Sequence, residues 1–116
     1  MYQFSYAEVT QDSSATARER EREALDRMVD ALKRADAAGP RSREAIEAIY
    51  LTRNLWSILV EDLATPGNAL PEELRASLIS IGLWVMREAE AIRLGRVQSF
   101  AAMIEVTTMI RDGLEA

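Results

Sequence analysis

The stretch Leu70–Arg93, LPEELRASLISIGLWVMREAEAIR, limits the possible folds of this chain more than any other segment. Pro71 suits the first turn of a helix, where its missing N–H would have no intrahelical partner. Glu72 and Glu73 then set negative charge beside the positive end of the helix dipole. From Leu78 to Met86 the only residues that are not apolar are Ser80 and Gly82. A surface helix places polar residues every third or fourth position, whereas a helix apolar on all sides has to be surrounded. Charge returns at Arg87, Glu88, Glu90 and Arg93, and Gly95 can close the helix in the left-handed conformation. The segment predicts an all-α domain with a buried central helix over about 71–94.

The remainder of the chain supplies the helices that would enclose it. Asp12, Ser13 and Ser14 offer capping oxygens for a helix over about 15–38, whose stripe runs through Leu25, Met28, Val29, Leu32 and Ala35. The charged run Arg18–Glu23 reads as its solvated face, and Gly39-Pro40 ends it. Ser42 can cap a helix over about 43–63, with Ile46, Ile49, Trp56, Val60 and Leu63 on one side, widened by Tyr50, Leu55 and Leu59. Ala64-Thr65-Pro66-Gly67-Asn68 is a break rich in turn formers. A last helix over about 98–111 carries Phe100, Met103, Ile104, Thr107 and Ile110, with Gly113 as its stop. Short turns between helices predict an antiparallel four-helix bundle, one domain spanning 1–116. Ahead of it Tyr2, Phe4 and Tyr6 alternate with polar residues, which predicts an extended aromatic arm over 1–12 lying along the helices.

Composition removes most chemistry. The 116 residues contain no cysteine and no histidine, so thiol nucleophiles, thiolate metal sites and the usual general base are missing. Glycine-rich phosphate loops are absent too, and Glu61 and Asp62, being adjacent, would point to different faces of a helix. Ser80 reads as a buried structural serine rather than a nucleophile. Neither enzymatic activity nor a cofactor nor a metal is expected. The net charge of −5 opposes a phosphate backbone, so direct nucleic-acid binding is not expected. The only basic cluster is Arg41 and Arg43 with the nearby Arg53, diluted by Glu44 and Glu47. The opening MYQFSYAEVT lacks a basic start followed by an apolar run, and no stretch reaches the roughly 20 apolar residues of a membrane span. A cytoplasmic location is the expectation.

Two groups of residues stand out. Trp56 and Trp84 suit either packing between helices or contact with a partner, and with Tyr2, Phe4 and Tyr6 they form the candidate partner-binding set. Gly82 costs roughly 1 kcal/mol inside a helix and permits another backbone to come close. Arg53 and Arg75 flank the Pro66–Pro71 turn in sequence, where each could hold loop carbonyls or pair with Asp62. With Asn68 and Pro71 they make a candidate structural motif.

These residues, in this order, resemble the FlaF-type flagellar biosynthesis proteins of the alphaproteobacteria over essentially the whole chain. The likeness is carried by Arg53-Asn54-Leu55-Trp56, by Asp62-Leu63, and by Pro66-Gly67-Asn68-Ala69-Leu70-Pro71-Glu72-Glu73-Leu74-Arg75-Ala76. It continues through Leu78-Ile79-Ser80-Ile81-Gly82-Leu83-Trp84, and includes Tyr6-Ala7 and the segment from Ile104-Glu105-Val106 to Gly113-Leu114. Thr107 departs from it, standing where many such proteins carry asparagine. The resemblance implies a small cytoplasmic helical protein needed for flagellin production and export, similar to a dedicated flagellin secretion chaperone. Its implied partners are flagellin, through the terminal amphipathic helices, and the FlbT regulator of flagellin mRNA. The alternative it leaves open is post-transcriptional control of that mRNA together with FlbT. An apolar groove edged by the central helix, filled in the free protein by the Tyr2–Tyr6 arm, is the binding arrangement that would suit a flagellin helix.

Overall fold

The computed structural model describes the backbone of residues 6–113 and the side chains of residues 19–113. It consists of four helices: α1 (Tyr6–Ala38), α2 (Arg43–Ala64), α3 (Glu72–Arg93) and α4 (Ala101–Gly113). They form the small all-α bundle that the sequence patterns predict. Among the described residues, no helix is long and apolar enough to cross a membrane.

Helix α1 begins at Tyr6, well ahead of the expected start at about residue 15. Nothing between Tyr6 and Ala38 is glycine or proline, so no residue stops the helix from extending towards the N-terminus. Asp12, Ser13 and Ser14 lie inside it rather than capping it, at a cost of only about 0.5 kcal/mol each. The extended arm expected over 1–12 is therefore helical from residue 6. Residues 1–5, with Tyr2 and Phe4, lie outside the described residues. At 33 residues α1 is about 50 Å long at ~1.5 Å per residue, which accounts for the 51 Å long axis of the molecule.

The end of α1 is well marked. Gly39 takes φ +108°, a left-handed value open to glycine, and its N–H donates to the Ala35 carbonyl at 2.8 Å. Ser42 then caps α2 as predicted: its hydroxyl accepts the Ala45 N–H at 3.1 Å and donates to the Gly39 carbonyl at 2.6 Å. Helix α1 packs on α2, α2 also packs on α3, and α4 returns to pack on α1. Cross-helix contacts fix the directions. Asp36 and Asp26 of α1 meet residues 100 and 111 respectively, so α4 runs antiparallel to α1. Leu63 and Trp56 of α2 meet Arg75 and Gly82 respectively, so α3 runs antiparallel to α2.

The core joins all four helices. Leu25, Met28, Leu32 and Ala35 come from α1, Ala45, Ala48, Ile49 and Trp56 from α2, Val85, Ala89 and Ile92 from α3, with Phe100 and Met103 closing it. Phe100 is fully buried, and its N–H is taken by the Asp36 carboxylate at 3.0 Å, just ahead of α4. Residues 98–100, expected to be helical, lie ahead of α4, which begins at Ala101.

One expectation about α3 has to be corrected. Its buried residues are Gly82, Val85, Ala89 and Ile92, a single stripe, whereas Ser80, Leu74 and Leu83 are exposed. It is a flanking helix, not an enclosed one. Small side chains explain this: Gly82 and Ala89 bring α3 tightly onto α2, so the middle of the bundle is filled by α1 and α2 instead. The apolar residues on the remaining faces of α3 are left half-covered, and Ser80 is not a buried serine.

Candidate functional site

Helices α2 and α3 leave a cleft of about 570 Å³ between them, on the side away from the core. Ile49 and Met86 form its apolar floor, Ile46 and Tyr50 one wall, and Arg53, Asn54, Ser57 and Arg93 its polar rim. Ile46 is 68% exposed and Tyr50 71%. These two stand one helical turn apart, so they present a continuous apolar ridge to solvent. Large apolar side chains left out in this way, beside a cleft and rimmed by polar groups, make this the candidate interaction surface.

The sequence reading placed Ile46 and Tyr50 in the buried stripe of α2. The buried residues of α2 are Ala45, Ala48, Ile49, Thr52, Trp56 and Leu63, half of them small. Ile49, Trp56 and Leu63 are buried as expected, whereas Ile46 and Tyr50 give way to Ala45, Ala48 and Thr52. An i, i+3, i+7 run of Ala45, Ala48 and Thr52 is the one signal that could have revealed it.

A small ionic network crosses the cleft. Glu90 on α3 accepts from Arg93 Nε at 3.0 Å and from Arg53 on α2 at 3.2 Å, with a second, shorter contact to Arg93. The Arg93 hydrogen bond holds the Glu90 carboxyl below its ordinary range, partial desolvation opposes that, and the charges of Arg93, Arg53 and Arg96 add to it. Arg93 is correspondingly raised by Glu90. Arg53 was expected beside the Pro66–Pro71 turn. It lies instead three turns up α2 and ties that helix to α3, because antiparallel packing brings Glu90 within its reach. Arg41 donates to the Arg93 carbonyl at 3.0 Å and lies against Gly95, which takes φ +79°. A cation at the C-terminus of α3 complements the dipole there.

The other candidate residues form a separate group at the opposite end of the α2–α3 pair. Asn68 donates from Nδ2 to the Asp62 carbonyl at 3.2 Å and to its carboxylate at 3.3 Å, and its Oδ1 accepts the Leu70 N–H at 3.0 Å. Arg75 reaches the Leu70 carbonyl at 3.1 Å and the Leu63 carbonyl at 3.4 Å. Pro71 sits at the N-cap of α3 with extended geometry, and its carbonyl accepts the Arg75 N–H at 2.9 Å. Asp62, Asn68, Pro71 and Arg75 together hold the turn shut. Gly82 is buried against Trp56, which is itself 1% exposed and has no free face to offer. Trp84 is half-buried against the core. Of the aromatic set, Tyr6 is part of α1, and only its backbone is described.

The aromatic arm expected to fill such a groove includes Tyr2 and Phe4, which lie outside the described residues.

The chain matches the family described as flagellar protein FlaF over residues 2–114. The chain belongs to the FlaF family. Comparison with curated proteins and with solved structures yields no match. Membership makes this a flagellar-related protein. The residues that carried the FlaF resemblance, Arg53 to Trp84, fold into the α2–turn–α3 hairpin that bears the cleft.

Proposed function

We propose that the protein is a cytoplasmic, non-catalytic flagellin-binding chaperone that holds an amphipathic terminal helix of flagellin until export. The observation that carries this reading is the exposed ridge of Ile46 and Tyr50 beside the α2–α3 cleft, in a member of a flagellar family. An amphipathic helix laid into such a groove would bury its i, i+3, i+4 apolar face. Flagellin termini supply helices of that kind, which need cover before assembly. Co-expression with flagellin followed by size-exclusion chromatography tests the reading, with Ile46→Ser/Tyr50→Ser as the groove variant. Co-elution by the native chain and its loss in the variant, at unchanged melting temperature, is the expected result. Failure of the native chain to co-elute with flagellin sinks it.

A second reading, control of flagellin mRNA together with FlbT, draws support from the arginines around the cleft. Direct RNA contact would weaken steeply with salt, because cations are released from the phosphates on binding. Flagellin binding, resting on apolar burial, would change far less between low and moderate salt.

A further inference from the structure

Charges around the cleft do not balance. Arg53 and Arg93 share the single carboxylate of Glu90, and Arg96 adds its field to the same group. Arg41, at the same end, spends its guanidinium on a carbonyl oxygen, that of Arg93. The neighbouring Arg43–Glu47 pair is neutral by itself. Glu44 and Glu88 lie two residues from Ile46 and Met86, about 200° round their helices, and so face away. Two guanidinium groups thus share one carboxylate, with Arg41 and Arg96 at the same end, on a chain whose net charge is −5. This local positive excess borders an aliphatic floor of Ile49 and Met86.

We propose that the groove selects an amphipathic helix whose apolar stripe ends in a carboxylate side chain. The stripe covers Ile46, Tyr50 and Met86, and the carboxylate docks on Arg53 and Arg93 alongside Glu90 or in its place. A guanidinium binds a carboxylate through a charge-assisted pair, and the apolar wall beside it lowers the local screening. An aliphatic floor with one tyrosine gives bases little to stack on, so a nucleic acid is the poorer fit. The inference rests on the chaperone reading only for its source of helix; its test does not need flagellin.

The test uses two synthetic amphipathic peptides with identical leucine stripes, one ending the stripe in glutamate and the other in glutamine. Each is titrated into the full chain by fluorescence anisotropy, with a single-stranded RNA oligonucleotide as the comparison. The glutamate peptide is expected to bind about fivefold tighter at low ionic strength, and the two to converge near ~0.5 M salt. R53Q should erase most of that preference. E90Q frees both arginines and should raise the affinity ratio of the glutamate to the glutamine peptide, an effect that mere loss of structure would not produce. Circular dichroism melts establish that each variant is folded. Equal affinity of the two peptides for the native chain overturns the proposal, even where flagellin co-purifies. RNA binding tighter than the glutamate peptide and abolished by R53Q overturns it as well. A clear glutamate preference without flagellin capture upholds the groove chemistry and removes the chaperone reading.

Discussion

A single methyl group added at Gly82 probes how α2 and α3 are held together. A Cβ at this position would lie 2.6 Å from Cε3 of Trp56 and 2.8 Å from Cγ2 of Val60. Ordinary contact begins near 3.4 Å, so the indole ring has to give by about 0.8 Å. Trp56 is 1% exposed and enclosed by the core, which leaves its rigid ring nowhere to go without moving α3. Overpacking of this size costs about 1–3 kcal/mol. Alanine returns about 1 kcal/mol through its better helix propensity. Gly82→Ala should therefore destabilise by up to about 2 kcal/mol, a fall in Tm of up to roughly 8 °C for a chain of this length. Urea unfolding followed by circular dichroism measures it. Repeating the substitution in Val60→Ala opens room beside the ring, and the coupling between the two sites should reach about 0.5–1.5 kcal/mol. A stability gain of about 1 kcal/mol from Gly82→Ala alone would mean that propensity governs and that close helix approach does not.

The remaining predictions concern other parts of the bundle. Thr107 is fully buried with its hydroxyl unpartnered, so Thr107→Val should be neutral or stabilise by up to about 1 kcal/mol in urea unfolding. Arg75→Met removes two bonds to loop carbonyls and should cost about 1–2 kcal/mol, with faster amide exchange confined to residues 65–70. Glu90 has its folded-state pKa lowered below 4.5, so its favourable contribution is present above that pH and is lost as pH falls through the folded value. In Glu90→Gln the acid limb of the stability curve below about pH 4.5 should flatten, as read from thermal melts across pH 2.5–6.

Helix existence was legible because it depends on local signals. Gly39-Pro40, the Ser42 cap and the Thr65–Asn68 turn formers act within a few residues of themselves, and each lies where a helix ends or begins in the folded chain. The start of α1 was missed because serine and aspartate serve equally as caps and as tolerated interior residues. What decides between them is the absence of a helix breaker further upstream. Which helix is enclosed was not legible at all. An apolar run states how much surface could be buried, but the partner helices determine how much is. Ile46 and Tyr50 illustrate the same limit from the other side, since their neighbours Ala45 and Ile49 are the buried ones. Arg53 and Glu90 are 37 residues apart, and no periodicity within either helix could pair them.

The turn and the cleft, at opposite ends of the α2–α3 hairpin, act on one degree of freedom: the register and separation of two rigid helices. Arg75 and Asn68 fix where α3 starts relative to the end of α2. Gly82 against Trp56 sets how closely the helices approach at mid-length. Arg53 and Glu90 then join them across the cleft. Because a helix transmits displacement along its axis with little bending, a change at the turn moves Met86, Glu90 and Arg93 relative to Ile46 and Tyr50. The segment from Asp62 to Gly82 therefore shapes a cleft that it scarcely touches. Residues bound only to loop carbonyls or packed out of solvent thus act on the same helix spacing as the exposed Tyr50.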